Sequence, residues 1–314
     1  MKRYLCMSGL LLCILTIIAY GILSYSEKNI HAHVFGATYM TKNNPFFVAL
    51  HESIEEVVKA NGDILISRDP CQDQHKQNEQ IYEMIEEGIE VLFLNPVDKK
   101  EVKPALQACK DHGVVVINID TIVEEKEYVT AIVETDNYQA GVLCAQEMMN
   151  AKEKARIVII GNPIQSSMND RMEGFRDTIA DNDNYRIVYE GIGNGEFEVS
   201  AKAMEEFVKK GLPFDVILGG NDPSALGALA TLRKYDMESG VLIYSIDGSP
   251  DFKAMLESGD VTGTCAQSPI TIGRIAAEIA YKYRAGEEVP SYVSVEPEMI
   301  TKENLSEYEI NAWQ

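Results

Sequence analysis

The chain has 314 residues, which is long enough for two modest α/β domains. It carries 49 acidic residues against 28 basic ones, and its formal net charge is -21. A surface this acidic repels phosphate backbones and anionic lipids, which argues against nucleic acid as a partner and against membrane binding through the folded part.

The N-terminus carries the one membrane signal of the sequence. Lys2 and Arg3 precede an apolar stretch from Leu10 to Tyr25, a pattern typical of an export signal. Ser24-Tyr25-Ser26 offers a small-x-small cleavage site, although the stretch is also nearly long enough to remain as an anchor. We therefore expect residues 1–26 to be a signal peptide or membrane anchor. The folded part is then extracytoplasmic, in the periplasm or at the cell surface, and meets the membrane only through its N-terminus.

After this segment, short β-rich runs alternate with helical stretches. The first series is predicted to contain strands at 33–38, 63–67, 91–94 and 114–119, and helices at 47–60, 78–87 and 102–112. The second series is predicted to contain helices at 140–149, 172–179, 201–210 and 226–235, and strands at 157–160, 187–189, 216–218, 241–246 and 261–266. Two consecutive βα series predict an α/β fold of two doubly wound, Rossmann-like lobes with parallel sheets.

Amide or carboxylate side chains follow most of the predicted strands. They are Asn43 and Asn44, Asn95, Asp120, Asn221 and Asp222, Asp247, and Gln267. Each one by itself is an ordinary turn or helix-capping residue. Ligands of open parallel sheets bind beyond the carboxyl ends of the strands, so the recurrence of these residues in both series favours a binding site there.

The run Thr41-Lys42-Asn43-Asn44-Pro45-Phe46-Phe47 places two aromatic residues directly after the first strand. The C–H faces of a sugar ring stack on aromatic rings, and its hydroxyls need fixed hydrogen-bonding partners. The two phenylalanines could instead form a hydrophobic staple onto the following helix. The run therefore points to a sugar-like ligand only in combination with the other strand ends.

Seven short motifs occur in a fixed order along the chain. They are NNPFF at 43–47, INIDT at 117–121, TDN at 135–137, DRMEGF at 170–175, GGNDPSALGAL at 219–229, SIDGSPD at 245–251 and AQSP at 266–269. With these motifs the chain resembles the ribose-type periplasmic binding proteins, the monosaccharide receptors of bacterial ABC importers, from about residue 34 to 295. The resemblance implies a type I periplasmic binding fold with a three-strand hinge. It implies an N-terminal lobe of residues 27–136 plus 268–296 and a C-terminal lobe of 137–267 plus 297–314, with crossings near Asp136, Gln267 and Glu296.

The resemblance also implies a ligand-binding set. Asn44, Phe46 and Phe47 would form the first wall, and Phe197 would add a third aromatic ring from the second lobe. Asp120 and Asp247 would accept hydrogen bonds from hydroxyls, Arg171 and Asn221 would donate them, and Gln267 would contact the ligand at a hinge crossing. Thr121 and Asp136 complete the set. No metal, cofactor or catalytic residue is implied.

Thr121 departs from the family pattern, which usually has an arginine after the first-lobe aspartate. Threonine has a short, uncharged hydroxyl in place of a forked cationic donor. Loss of such a donor changes which hydroxyl pattern a site accepts. We therefore expect another pentose, a hexose or a cyclic polyol, rather than ribose, as the ligand.

Four functions are compatible with such a fold to different degrees. The first is a receptor that feeds an ABC permease, and the second is a membrane-anchored sugar sensor that partners a histidine kinase or chemoreceptor. A repressor of the lactose-repressor type needs a basic helix-turn-helix segment, which the acidic chain and apolar N-terminus argue against. An enzyme is not favoured, because none of the five histidines falls at a predicted cleft position and no nucleophile accompanies the two aspartates.

Overall fold

A computed structural model describes residues 32–314 of the chain. The predicted signal peptide or anchor at 1–26 lies outside the described residues. Within 32–314, no helix combines the length and the apolar character needed to cross a bilayer.

The first sheet has six strands in the order β11-β5-β4-β3-β1-β2, and every neighbouring pair is parallel. Its strands are β1 (Val34–Thr38), β2 (Ile64–Arg68), β3 (Val91–Leu94), β4 (Val115–Ile119), β5 (Ala131–Thr135) and β11 (Tyr292–Val295). The helices that alternate with these strands are α1 (Pro45–Ala60), α2 (Gln74–Glu86) and α3 (Lys103–Asp111), and α9 (Pro269–Arg284) packs beside α1.

The second sheet has six strands in the order β12-β10-β9-β8-β6-β7, parallel throughout except for the antiparallel edge pair β10–β12. Its strands are β6 (Ala155–Gly161), β7 (Tyr185–Ile192), β8 (Val216–Gly219), β9 (Leu242–Asp247), β10 (Gly263–Ala266) and β12 (Glu298–Thr301). The helices of this part are α4 (Asn137–Ala151), α5 (Ser166–Ile179), α6 (Phe197–Val208), α7 (Asp222–Lys234) and α8 (Pro250–Ser258). Short 3-10 turns occupy Lys126–Tyr128 and Leu305–Glu307.

Each sheet is covered on both faces by hydrophobic clusters. All four residues of β3 are completely buried, and the four residues of β4 from Val116 to Ile119 are buried as well. Fully buried strands of mainly apolar residues are expected in a parallel sheet that has helices on both sides. The predicted doubly wound α/β class is confirmed.

The chain passes between the two sheets three times. It leaves the first sheet after β5, returns to it after β10, and crosses again between β11 and β12. The lobe boundaries given by the resemblance remain a prediction.

The observed elements differ from the predicted ones mainly at their polar ends. Helix α2 begins at Gln74 rather than 78, because the carboxylate of Asp73 accepts the backbone N–H of Lys76 and caps a polar first turn. The pattern also did not predict β5, β11, β12 or α8. These are strands of four or five residues and a helix of nine, too short for a reliable hydrophobic period.

Candidate ligand-binding site

A cavity of about 240 Å³ lies where residues that follow the strands of both sheets meet. Its volume is below the roughly 300–1,000 Å³ of sites for drug-sized ligands, and it suits one small ring. Nine predicted residues line it: Asn44, Phe46, Phe47, Asp120, Arg171, Phe197, Asn221, Asp247 and Gln267. The structure therefore brings these residues of the two series together.

Asn44 sets the geometry of the first wall. Its side-chain oxygen accepts the backbone N–H of Phe46 at 2.9 Å and caps α1, whose first residue is Pro45. The capped turn places both phenylalanines in the cavity wall, where their rings meet edge to face with centroids 5.5 Å apart. Tyr39 stacks on Phe47 at 6.0 Å from within the core. The aromatic wall is therefore rigid.

Asp120 follows β4 in a left-handed conformation, with φ of 62°. Its Oδ2 accepts hydrogen bonds from Asn95 Nδ2 and Thr121 Oγ1, each at 3.0 Å. Burial raises the pKa of this carboxyl above its usual range, while the positive charge of Arg171 and these hydrogen bonds oppose the rise. Its backbone strain persists at a cavity wall, as is common for residues that bind ligands.

Asp247 ends β9 and also has a positive φ, 144°. Its Oδ1 accepts a hydrogen bond from Gln267 Nε2 at 2.7 Å and lies 3.9 Å from Arg171 Nη1. Burial, and next the charge of neighbouring Asp222, raise its pKa well above the usual range. Asp120 and Asp247, the two buried carboxylates of the site, therefore each combine a strained backbone with an energetically costly desolvation.

Arg171 in α5 has a side chain that is only 3% exposed. Its Nε donates to Asn137 Oδ1 and its Nη1 donates to the carbonyl of Gly220, both at 2.8 Å. Gly141 in α4 faces it across the helix pair, and a Cβ at Gly141 would collide with the carbonyl oxygen of Arg171. The close α4–α5 crossing thus holds the guanidinium between the two carboxylates.

Asn221 and Phe197 complete the second wall. The side-chain oxygen of Asn221 accepts the N–H of Ser224 and caps α7, and its Nδ2 donates to the carbonyl of Gly195, both at 3.1 Å. Phe197 begins α6 and is 40% exposed, in contrast to the buried Phe46. Its ring therefore lies at the rim of the cavity, where a ligand would cover it.

Two predicted residues do not line the cavity. Thr121 is buried beside it, and its Oγ1 lies 3.1 Å from the hydroxyl of Ser167 at the start of α5. Asp136 caps α4 by accepting the backbone N–H of Gln139 at 2.9 Å. Both residues support neighbours of the cavity instead of facing it.

Further residues that line the cavity were not predicted. They include Met40, Thr41, Gln72, Gln165, Ser167, Met168, Asn194, Glu196, Glu198, Pro223, Leu226 and Asp251. Trp313 lines an adjoining cavity together with Asn44 and meets the ring of Phe46 edge to face at 5.9 Å. Four of them lie inside runs that the sequence had singled out: Thr41, Pro223, Leu226 and Asp251. Gln165 and Ser167 lie just before the DRMEGF motif, and the others had no local signal.

Segments that follow the two sheets touch directly beside the cavity. The Oγ of Ser166 accepts the backbone N–H of Ile122 at 2.9 Å, and Gln165 Nε2 contacts the sulfur of Met40. These contacts join the loop after β4 to the start of α5, so the structure is that of a closed cleft. Residues 32–314 contain no group of three or more histidine, cysteine or acidic side chains arranged to hold a metal ion.

The sequence profile of the family described as "Periplasmic binding protein domain" matches residues 35–288. The ribose import binding protein RbsB of Bacillus subtilis is 29% identical over 82% of this chain and 84% of its own length. A putative rhizopine-binding protein of Rhizobium meliloti is 27% identical over 89% of this chain and 93% of its own length. The crystal structure of a Caulobacter myo-inositol binding protein with bound myo-inositol superimposes with a TM-score of 0.82 at 27% identity, covering 87% of this chain and 95% of that one.

Proposed function

Because this chain belongs to the periplasmic binding protein domain family, we propose that it is an extracytoplasmic receptor that closes on one sugar or cyclic polyol and delivers it to an ABC importer. Its relatives are solute-binding proteins rather than enzymes. The observation that carries the proposal is the closed cavity between the two sheets, which is lined by aromatic rings and by buried polar groups on both sides.

The chemistry of the cavity suits a polyhydroxylated ring. Phe46, Phe47 and Phe197 offer aromatic surface to the ring's C–H bonds. Asp120 and Asp247 offer carboxylate acceptors, and hydrogen bonds between charged groups and hydroxyls contribute about 1.5–3 kcal/mol each. Such bonds are stronger where closure of the cleft removes water from around them.

A ligand that touches both walls favours the closed arrangement and so shifts the population of open and closed forms. An importer can recognise that difference in shape. The relatives described for this chain offer no support for the alternative of a membrane-anchored sensor. We propose that residues 1–26 direct export of the chain, and that Asn44, Asp120, Arg171, Asn221, Asp247 and Gln267 hold the ligand's polar groups.

A thermal-shift screen of the purified protein against pentoses, hexoses, inositols and linear polyols tests the proposal. A ligand at 100 times its dissociation constant raises the free energy of unfolding by about 2.7 kcal/mol, so a true ligand gives a clear shift. Ribose is expected to bind weakly, since Thr121 stands where the family has arginine. The variants Asp247→Ala and Phe47→Ala should lose the ligand-induced shift while remaining folded by circular dichroism. Full retention of the shift in both variants would refute the site.

A further inference from the structure

The cavity carries an unbalanced negative charge. Five carboxylates line it, from Asp120, Glu196, Glu198, Asp247 and Asp251, whereas Arg171 is the only cationic side chain among the described residues that do so. A sixth carboxylate, that of the fully buried Asp222, raises the pKa of Asp247 from just behind the wall. Glu198 and Asp251 are exposed to solvent and Glu196 is half-buried, so the carboxylates that need a partner are the buried Asp120, Asp222 and Asp247. Arg171 is one guanidinium against these three.

The guanidinium of Arg171 already has partners within the protein. Its Nε and Nη1 donate to Asn137 and Gly220, and its ion pair, at 3.9 Å, is with Asp247. Asp120 makes no ion pair within residues 32–314, and the side chain that follows it is the neutral Thr121. Of the two buried carboxylates that line the cavity, Asp120 is therefore the one without an ion pair.

Two acceptor atoms of the cavity wall accept no hydrogen bond from the described residues. Both hydrogen bonds that Asp120 accepts from described residues end on Oδ2, so Oδ1 is available. The Oε1 of Gln267 is buried without a partner, while its Nε2 is used by Asp247. A hydroxyl brings one donor and two acceptor sites, whereas an ammonium group brings three donors and no acceptor. The ammonium group therefore matches these two acceptor atoms better than a hydroxyl does.

Building on the receptor function proposed above, we propose that the ligand is an amino-substituted cyclic polyol or amino sugar whose ammonium group binds at Asp120. The ammonium supplies the missing positive charge and donates to Oδ1. The ring hydroxyls of the ligand face Asp247, Gln267 and Asn221, and the aromatic wall of Phe46 and Phe47 covers its ring. An inorganic divalent cation is not favoured, because the described residues offer no cluster of three or more metal-binding side chains.

The raised pKa values of both site carboxylates agree with this assignment. Burial disfavours the charged form of Asp120 and of Asp247 in the absence of a ligand. A bound cation favours the charged form and lowers both pKa values again. Binding of the amine therefore restores an ion pair in a place where the empty cleft has an unpaired buried acid.

Titration calorimetry with matched ligand pairs tests the proposal. Each pair differs only in one ammonium or hydroxyl group: D-glucosamine and D-glucose, D-galactosamine and D-galactose, and 1-amino-1-deoxy-scyllo-inositol and scyllo-inositol. The measurements use slightly acidic buffer, in which the amines are charged. At least one amine is expected to bind about tenfold or more tightly than its neutral partner, a difference of about 1.4 kcal/mol. Asp120→Asn should remove that preference, and Thr121→Arg, which brings a second cation next to Asp120, should reverse it.

Asp183→Asn is the matched control, because it removes the same charge from an exposed turn and should leave the preference unchanged. Neutral ligands that bind as tightly as their amine partners would overturn the ammonium assignment and leave the receptor function standing. If neither the amines nor the neutral sugars and polyols of the thermal-shift screen bind, the receptor function fails and the ammonium assignment fails with it. A preference for the amine that survives in Asp120→Asn would overturn the placement at Asp120.

Discussion

The hydroxyl of Thr121, which follows β4 of the first sheet, lies 3.1 Å from the hydroxyl of Ser167 in α5, beside the second sheet. Thr121 Oγ1 also donates a hydrogen bond to Asp120 Oδ2 at 3.0 Å. Since a hydroxyl has one proton, Ser167 is then the donor to Thr121. A chain of hydrogen bonds thus runs from one lobe to a site carboxylate of the other.

Ser167→Ala is expected to weaken ligand binding several-fold, because a neutral hydrogen bond contributes about 1 kcal/mol to the closed form. Thr121→Val should weaken binding more, since it also removes a hydrogen bond to Asp120. The double variant should lose less binding free energy than the sum of the two single losses, and the difference measures the contact across the cleft. Calorimetry with the ligand from the screen gives all three affinities. Thr178→Val, whose hydroxyl donates within α5 to Gly174, serves as the control; strictly additive losses would contradict a coupled pair.

Glu134→Gln should reduce the pH dependence of stability. Burial raises the pKa of Glu134 to about 7, although Tyr292 and Asn137 donate hydrogen bonds to it. A carboxyl with a raised folded-state pKa contributes stability that is fully present below its unfolded value and is lost as the pH rises through the folded value. The loss therefore falls between about pH 4.5 and 7.

Guanidinium unfolding across this range should show the difference in unfolding free energy between wild type and Glu134→Gln changing by on the order of 2–3 kcal/mol. Burial also raises the pKa values of Asp120, Asp222 and Asp247, and these residues act in the same direction in both proteins. The contributions of Asp222 and Asp247 cancel in the difference, and that of Asp120, whose charge also raises the pKa of Glu134, cancels in part. A difference that does not vary with pH would show that Glu134 titrates normally.

Gly141→Ala should destabilise the protein and impair binding together. The new methyl group would collide with the backbone of Arg171, so α4 and α5 must separate, and overpacking of this kind typically costs about 1–3 kcal/mol or more. The guanidinium then leaves its place beside Asp247. Gly161→Ala is a matched control, because the nearest atom to its new methyl group, in Met172, is 3.6 Å away. Chemical denaturation and calorimetry of both variants check the prediction, and equal effects would contradict it.

Trp313→Ala should accelerate ligand release. The chain before Trp313 is held by the fully buried Lys253, whose Nζ donates to the carbonyls of Glu309 and Ala312 at 2.6 Å. Trp313 itself packs on Phe46 and among hydrophobic residues of the first sheet. It therefore ties the C-terminal segment to the aromatic wall, and its loss should raise the dissociation rate more than it lowers the association rate. Stopped-flow fluorescence measures both rates; an unchanged dissociation rate would rule out this role.

Lys253→Met offers an independent check on the same segment. It keeps the apolar stem but removes both hydrogen bonds to the segment, so the two carbonyls lose their donor. The variant should be less stable and should release ligand faster, as Trp313→Ala does. A less stable variant with an unchanged rate of ligand release would show that the attachment of the C-terminal segment by Lys253 does not affect the cleft.

Much of the fold could be read from the sequence because its signals are local. The apolar runs of β3 and β4 require burial on both faces wherever they pack. Asn44, Asp73 and Asn221 cap helices through hydrogen bonds to residues two or three positions away, so a short window contains all the information. Asp120 and Asp247 were identified because parallel strands end at a common edge.

Only the tertiary structure decided the role of the residues whose partners are distant in sequence. Thr121 meets Ser167 46 positions away, and Arg171 is held through Gly220 at 49 positions. Trp313 reaches Phe46 from the other end of the described chain. Such contacts depend on how two sheets and three crossings come together, and no short segment carries that geometry. The sequence by itself therefore determined the presence of two lobes, the strand ends and nine of the residues that line the cavity. Packing between the lobes decided that Thr121 supports the site from outside, and that one arginine faces an excess of carboxylates.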